Sequence, residues 1–262
     1  MLENYHTHTT RCRHASGTEE EYVLQAISKG LKVLGFSDHA PFRFPGIYYS
    51  TMRMYPEELK DYTASIKHLK EKYSDKIDIR IGLEAEYYPE RISSLLELME
   101  PLDVEYLILG QHWCGNEQGE PHNGAPTDDE KRLARYCDQV AEALHTGLFS
   151  YFAHPDIMLF TGNETIYRTH TIRLCQTAKD LHIPLEINFL GLREGRPYPR
   201  PLFWEIAGEV GCQAVFGSDA HHPEHVYDPN SEIIALDMVK KYGLTLLEHV
   251  PIHSWKDGKL LK

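Results

Sequence analysis

The sequence predicts an α/β fold in which strands and helices alternate along one chain. Short apolar segments that end in charged residues recur along the 262 residues, and most are followed by a segment with helical periodicity. No composition break or low-complexity linker separates these segments. Seven strand-then-helix units of this kind favour a parallel sheet closed into a barrel, with a doubly wound open sheet as the alternative.

Apolar periodicity and capping residues place the elements in order. A short β-prone stretch before His6 is followed by a helix that Thr18 caps, that has Glu19 to Glu21 in its first turn and that Gly30 ends. Residues 40–54 are rich in proline and aromatic residues, and we expect a loop that folds over a site. The other predicted strands cover residues 32–39, 77–86, 106–113, 149–156, 184–189 and 213–221, and the other predicted helices cover residues 56–73, 90–99, 127–145, 164–182, 201–210 and 230–241, before a last apolar run at 244–247.

Composition indicates a water-soluble protein, which we expect to form a single domain over residues 1–262. No apolar run approaches the ~20 residues of a membrane helix, and the amino terminus lacks the basic and apolar regions of a secretory signal. We therefore expect a cytoplasmic protein without membrane partners. Five scattered cysteines without a CxxC pair favour reduced thiols over disulfides.

A formal net charge of −12 argues against nucleic-acid partners, because binding to phosphate backbones requires a surplus of lysine and arginine. An anionic small molecule would therefore need a local anchor, either a metal or an arginine. Assembly into a homo-oligomer is compatible with these features.

Polar residues are concentrated where the predicted strands end, on the face where barrel enzymes assemble their active sites. His6 and His8 would alternate in a strand and point to the same side, although two surface histidines near a terminus are the simpler interpretation of this pair alone. Imidazole and carboxylate groups without thiolates are the ligands of open Zn²⁺, Mn²⁺ or Fe²⁺ sites. Nine candidates exceed the needs of one ion: His6, His8, His14, His39, Glu84, His112, His154, Asp219 and His221.

Six ordered motifs between residues 5 and 221 resemble those of the polymerase-and-histidinol-phosphatase (PHP) superfamily. They are His6-Thr-His8, Ser37-Asp-His39, Gly82-Leu-Glu84, Gly110-Gln-His112, Ala153-His154-Pro155 and Gly217-Ser-Asp219-Ala-His221. Within the superfamily, the chain is most similar to the monofunctional histidinol-phosphate phosphatases. Cys12 to His14, Glu84 to Tyr87, Gly191 to Arg193 and Tyr198-Pro199 carry that similarity.

The resemblance implies a distorted (β/α)7 TIM-like barrel of the PHP type with three divalent metal ions, either Zn, Mn or Fe. It implies that His6, His8, Glu84 and Asp219 hold one ion, that Glu84 bridges to a second held by His112 and His154, and that His14, His39 and His221 hold the third. Glu84, Asp219 and His39 are then the candidates for direct roles in catalysis. Asp38, beside a candidate ligand, could either orient a neighbouring imidazole or cap the backbone.

The implied activity is metal-dependent hydrolysis of a phosphomonoester, with L-histidinol phosphate of histidine biosynthesis as the expected substrate. Metal ions can activate water near pH 7 and offset charge on phosphoryl oxygens, so no cysteine or serine nucleophile is needed. Two alternatives stay open. One is a PHP phosphoesterase acting on another phosphomonoester, a nucleotide, a nucleic acid or phosphotyrosine, and the other is a noncatalytic metal-binding module.

Arginines are the candidates for substrate binding, because a guanidinium can grip a phosphate in a bidentate manner. Arg193 is the first candidate and Arg196 the second, both in the segment after the sixth predicted strand. Arg43 and Arg53, in the 40–54 loop, are weaker candidates. The alternative for the segment with Arg193 is a solvated basic loop. Glu86 or Glu186 could accept a hydrogen bond from an amino-alcohol substrate.

Overall fold

The structure of the protein is a computed structural model that describes residues 1–256 and 259–261. These residues form two compact units. The first unit contains Met1–Ile108, Gly217–Pro229 and the described residues from Ile252 onward, and the second contains Leu109–Phe216 and Asn230–Pro251. The single domain over 1–262 stays a prediction, and residues 257, 258 and 262 lie outside the described part.

The first unit contains a four-stranded sheet in the order β1-β2-β3-β4. Strands β1 and β2 pair in parallel, as do β2 and β3, in a register that sets His39 opposite Glu84. An antiparallel pair, β8-β9, also belongs to this unit. Its elements are β1 (Glu3–Asn4), α1 (Glu19–Ser28), β2 (Val33–His39), α2 (Leu59–Lys72), β3 (Asp78–Ala85), α3 (Ile92–Met99), β4 (Tyr106–Leu109), β8 (Ser254–Lys256) and β9 (Lys259–Leu261).

The second unit contains a three-stranded sheet in the order β5-β6-β7, in which β6 and β7 pair in parallel. Phe152 forms isolated parallel bridges with Leu109 on one side and with Leu185 on the other. The elements are α4 (Glu130–His145), α5 (Glu164–Asp180), β5 (Leu185–Asn188), α6 (Phe189–Glu194), α7 (Pro201–Val210), β6 (Gln213–Gly217), α8 (Pro229–Tyr242) and β7 (Thr245–Leu246). No helix in the described ranges is long and apolar enough to cross a membrane.

The predicted α/β class with parallel strands is confirmed, whereas closure into a (β/α)7 barrel stays a prediction. The predicted strand over 149–156 is wrong, because only Phe152 is bridged. The backbone leaves the extended region at His154, whose φ is 32°, and Pro155 has no amide hydrogen to donate to a ladder. The strand predicted over 213–221 ends at Gly217, two residues before Asp219 with its φ of 46°. The strand predicted over 106–113 ends at Leu109.

Three further differences concern helices and the carboxyl end of the chain. The helix predicted over 56–73 begins as the 3₁₀ turn Pro56–Glu58 and continues as α2. The segment that contains Arg193, for which no helix is predicted, forms helix α6, because the Asn188 side chain caps its start and Gly195 ends it at a φ of 63°. The pair β8-β9 was not expected. Residues 40–54 form no helix or strand, in agreement with the predicted loop.

Two glycines allow Tyr106 to lie against neighbouring strands of the first unit. A Cβ atom on Gly82 of β3 would lie 2.3 Å from Cζ of Tyr106, and one on Gly35 of β2 would lie 2.3 Å from its hydroxyl oxygen. The Tyr106 hydroxyl is 2.9 Å from the carbonyl oxygen of Tyr5 and 3.1 Å from that of Phe36, and its one hydrogen can be donated to either or shared between them. One buried aromatic residue therefore connects the segment after β1 with β2 and β3.

Replacement of Gly82 by alanine should lower the free energy of unfolding by about 1–3 kcal/mol, because the new methyl group overlaps the Tyr106 ring. Urea denaturation would measure the change. In a Tyr106→Leu background, in which the ring atoms that clash are absent, the same substitution should cost less. An equal cost in both backgrounds would contradict this explanation.

Candidate metal centre

The histidine pair near the amino terminus converges as the alternation of residues predicts. Thr7 forms a parallel bridge with Ala220, in which the amide of His8 donates to the carbonyl of Ala220 over 2.9 Å and the amide of Ala220 donates to that of His6 over 3.2 Å. Because His6 and His8 flank the bridged residue, both side chains project to one side. Their ring centroids are 5.2 Å apart, and both residues are fully buried.

Two buried carboxylates face this pair. The Nε2 atom of His6 lies 3.6 Å from an oxygen of Glu84 and 3.6 Å from an oxygen of Asp219. The corresponding distances from Nε2 of His8 are 3.6 Å and 3.2 Å. Glu84 also lies 2.9 Å from Nδ1 of His39, its neighbour in the β2-β3 register. Segments far apart in the sequence thus deliver nitrogen and oxygen donors to one buried place.

A second group of imidazoles adjoins the first. The ring centroid of His221 is 4.1 Å from that of His8 and 4.7 Å from that of His14. The ring centroids of His14 and His39 are 5.3 Å apart. The 3₁₀ turn Thr10–Cys12 and the left-handed Arg13, with a φ of 74°, bring His14 back toward His8. The predicted ligands of the first unit therefore lie together.

Backbone carbonyl groups orient two of these rings. Nδ1 of His14 lies 2.8 Å from the carbonyl oxygen of Cys12, and Nδ1 of His221 lies 3.2 Å from that of Asp219. A carbonyl oxygen can only accept, so Nδ1 carries the hydrogen and the lone pair of Nε2 is left for another partner. This arrangement is the usual way in which proteins prepare an imidazole to bind a metal.

The donor geometry of the first unit suits divalent metal ions. Three groups of this unit made only of histidines and carboxylates offer ligand atoms that all lie within 4.8 Å of one another: His6, His8 and Asp219; His8, His39 and Glu84; and His14, His39 and His221. A fourth group of this unit combines His8 and His221 with the thiol of Cys12. Nε2 of His8 and Nε2 of His221 make no regular hydrogen bond with a described residue. Buried polar atoms are seldom left in this state, and metal coordination would satisfy them. The protein thus carries several histidine and carboxylate groups able to bind a metal.

Burial and neighbouring charges in this cluster also shift the pKa values of its side chains. Burial disfavours the charged form of His8, but the nearby carboxylates of Asp219 and Asp38 outweigh burial and raise its pKa to about 9. Burial opposes ionisation of Asp219, yet the surrounding histidines, first His6, hold its pKa well below the usual value. Burial, followed by the charge of His8, lowers the pKa of both His14 and His221. The last two rings are therefore neutral at pH 7, which is the form that binds metals.

The second unit contains the other two predicted ligands. His112 and His154 are buried, and their ring centroids are 4.9 Å apart. The amide of His154 donates to a carboxylate oxygen of Glu186 over 3.0 Å. The side-chain amide of Asn188 donates to the same oxygen over 3.0 Å. The buried Glu186 is therefore engaged in fixing the segment of His154 and the start of α6.

The candidate arginines occupy different environments. Arg193 lies in the last turn of α6 and is half-buried. Arg196 forms an ion pair with Glu194 at 2.8 Å, and its guanidinium donates to the hydroxyl of Tyr198 over 3.1 Å. Arg43 is exposed. A role in substrate binding stays a prediction for all three arginines.

A buried ion pair in the first unit was not predicted from the sequence. The guanidinium of Arg53 donates to both carboxylate oxygens of Glu86 over 2.9 Å and to the carbonyl of Ala40 over 3.0 Å. Both side chains are almost completely inaccessible to solvent. This pairing connects the 40–54 loop to the end of β3 next to His39, and nothing in the spacing of these residues signals it.

A family model for the PHP domain matches residues 4–189, which is more than half of the chain. The chain belongs to the PHP domain family. The matched residues include every helix and strand from α1 to β5, as well as all predicted ligands except Asp219 and His221.

Two curated relatives match most of the chain, and a solved structure matches its full length. A relative from Deinococcus radiodurans named "probable histidinol-phosphatase" is 30% identical over 230 residues, which cover 84% of this chain and 86% of the relative. One of the same name from Schizosaccharomyces pombe is 25% identical, covering 84% and 81%. A crystal structure of histidinol phosphate phosphatase from Lactococcus lactis, in complex with zinc, L-histidinol and phosphate, has the same fold with a TM-score of 0.72, 21% identity and coverage of 100% and 99%.

We expect His6→Ala to lower the metal content of the protein, because it removes an imidazole that faces both Glu84 and Asp219. After incubation with Zn²⁺ or Mn²⁺ and removal of free metal, elemental analysis should find at least one ion fewer per chain than in the wild type. His145→Ala is the control, since His145 is exposed and its Nδ1 lies 2.7 Å from the carbonyl of Ala141. Equal metal content in wild type and His6→Ala would refute the ligand assignment.

Proposed function

We propose that the protein is a metal-dependent histidinol-phosphatase that hydrolyses L-histidinol phosphate to L-histidinol and phosphate. The buried cluster of imidazoles around Glu84 and Asp219 is the observation that carries this proposal. Membership of the PHP family and the names of the relatives support it. Zinc, L-histidinol and phosphate in the Lactococcus lactis enzyme indicate the class of cofactor and substrate.

Seven residues of the first unit would hold the metal ions. His6, His8, Glu84 and Asp219 would bind one ion, and His14, His39 and His221 would bind another, in keeping with the donor groups within 4.8 Å. His112 and His154 are the candidate ligands in the second unit. We propose three ions in total, and their identity as Zn, Mn or Fe is part of the proposal. Nitrogen and carboxylate donors suit each of these metals.

When bound, divalent ions act as Lewis acids that make water more acidic and offset the negative charge of a phosphoryl group. The side chains supply the surrounding conditions. Burial of Glu84 and Asp219 excludes bulk water and strengthens electrostatic interactions. A carboxylate oxygen of Glu84 can accept a proton from the attacking water, whereas the low pKa of Asp219 suits it to holding an ion. His39 is 5% exposed, and its Nδ1 lies 2.9 Å from Glu84, so its proposed part in catalysis is to hold an ion next to that carboxylate.

Cys12 and Cys114, the two cysteines near predicted ligands in the sequence, do not support a covalent thiol mechanism. Cys12 is completely buried, and burial raises the pKa of its thiol far above neutral pH. The pKa of Cys114 is raised for the same reason. Because the thiolate is the nucleophilic form, neither cysteine is prepared to attack a phosphate. Direct attack by water therefore fits the site better than a phosphocysteine route.

The decisive experiment compares phosphate release from L-histidinol phosphate, p-nitrophenyl phosphate and a mononucleotide by metal-reconstituted protein. We expect kcat/KM for L-histidinol phosphate to exceed the other two values at least ~10³-fold, which corresponds to about 4 kcal/mol. Similar low values for all three substrates would contradict the proposed substrate and leave a phosphoesterase of another specificity. Bound metal without hydrolysis of any substrate would instead indicate a binding module.

A second prediction concerns the phosphate anchor. Arg193→Ala should raise KM for L-histidinol phosphate about 10-fold or more, because a charge-assisted hydrogen bond contributes roughly 1.5–3 kcal/mol. Arg196→Ala is the matched comparison and should change KM less, since Glu194 already pairs with that guanidinium. Steady-state kinetics would measure both variants. Unchanged KM in Arg193→Ala would exclude this residue as the anchor.

A further inference from the structure

Asp38 is a buried carboxylate beside the candidate metal centre that the proposed ligand set does not use. It precedes His39 at the end of β2 and is completely inaccessible to solvent. Its Oδ2 atom accepts hydrogen bonds from the amide of Thr9, over 3.2 Å, and from the hydroxyl of Thr9. Its Oδ1 atom accepts from the amide of His39 over 2.8 Å. Three donors thus fix the orientation of the carboxylate.

The fixed carboxylate faces the ring of His8. Oδ1 of Asp38 lies 3.4 Å from Nδ1 of His8, whereas Nε2 on the opposite side of the ring lies 3.2 Å from Asp219. A negative oxygen next to Nδ1 favours a hydrogen on that nitrogen. With Nδ1 protonated, only Nε2 can serve as a ligand, and Nε2 is the atom that points toward Glu84 and Asp219.

The backbone of Asp38 is held as firmly as its side chain. Its amide donates to the hydroxyl of Tyr62 over 3.3 Å, and that hydroxyl donates to the carbonyl of Gly82 over 2.8 Å. Gly82 belongs to β3, which also carries Glu84. Asp38 is therefore positioned relative to the strand that supplies the neighbouring carboxylate.

We propose that Asp38 is a positioning residue that fixes two candidate metal ligands at once: His8 through its ring and His39 through its backbone amide. The inference rests on the proposed metal site, in which His8 and His39 bind different ions. Loss of the Asp38 carboxylate should therefore weaken metal binding both at the ion held by His8 and at the ion held by His39. A residue that only caps the backbone at the end of β2 would not affect the His8 ring.

The test compares Asp38→Ala and Asp38→Asn with two control variants. Asp61→Asn and Asp103→Asn remove carboxylates whose side chains are 78% and 63% exposed. Zinc affinity is measured by competition with a chromophoric chelator. Asp38→Ala should bind zinc about 10–100-fold more weakly than the wild type, which is the usual effect of losing the partner of a metal-binding imidazole. Asp38→Asn, which keeps one acceptor oxygen, should lose less affinity, and both controls should bind zinc within about 3-fold of the wild type.

A second measurement separates positioning of the ring from a purely structural role. In NMR spectra of the metal-free protein, the slowly exchanging Nδ1 hydrogen of His8 should be visible in the wild type and in both controls, and it should be lost in Asp38→Ala. Wild-type zinc affinity together with a retained His8 signal in Asp38→Ala would overturn the proposal. If Asp38→Ala does not fold, the same two readouts in Asp38→Asn decide. A wild-type protein that binds no zinc would refute the proposed function, whereas the NMR signal would still report on Asp38.

Discussion

The interaction on which the first unit depends is the mutual neutralisation of buried imidazoles and carboxylates at the ends of its strands. Glu84 and Asp219 are almost fully buried, and burying an unpaired carboxylate is costly. His6 and His8 lie within 3.6 Å of both groups. Although burial opposes it, the pKa of His8 is raised, so this ring supplies compensating positive charge and would also bind a metal. Structure and proposed chemistry therefore rely on the same atoms.

Much of this arrangement could be predicted from the sequence because it follows local rules. Alternation of residues predicted that His6 and His8 converge, and the placement of polar residues after apolar runs predicted that His39 and Glu84 lie close together. The limits of the strands were harder to predict. His154 and Asp219 adopt positive φ values that their residue types seldom take, so apolar runs that continue into these motifs overestimate the strand length.

Long-range pairing is the part that the sequence could not supply. The contact of Arg53 with Glu86 depends on the path of the 40–54 loop, which has no periodicity to indicate it. Asp38 was expected either to orient an imidazole or to cap the backbone, and its carboxylate is placed for both, because Oδ1 faces His8 while also accepting from His39.

The first unit takes its donors from both ends of a long stretch of sequence. The bridge between Thr7 and Ala220, together with the hydrogen bond from the amide of Ser218 to the side chain of Asn4, joins residues more than two hundred positions apart. During synthesis on the ribosome, His6 and His8 emerge early, but Asp219 and His221 become available only after the second unit has been translated up to β6. The cluster is consequently one of the last parts of the chain that can be completed, and a metal bound there would close a very long loop.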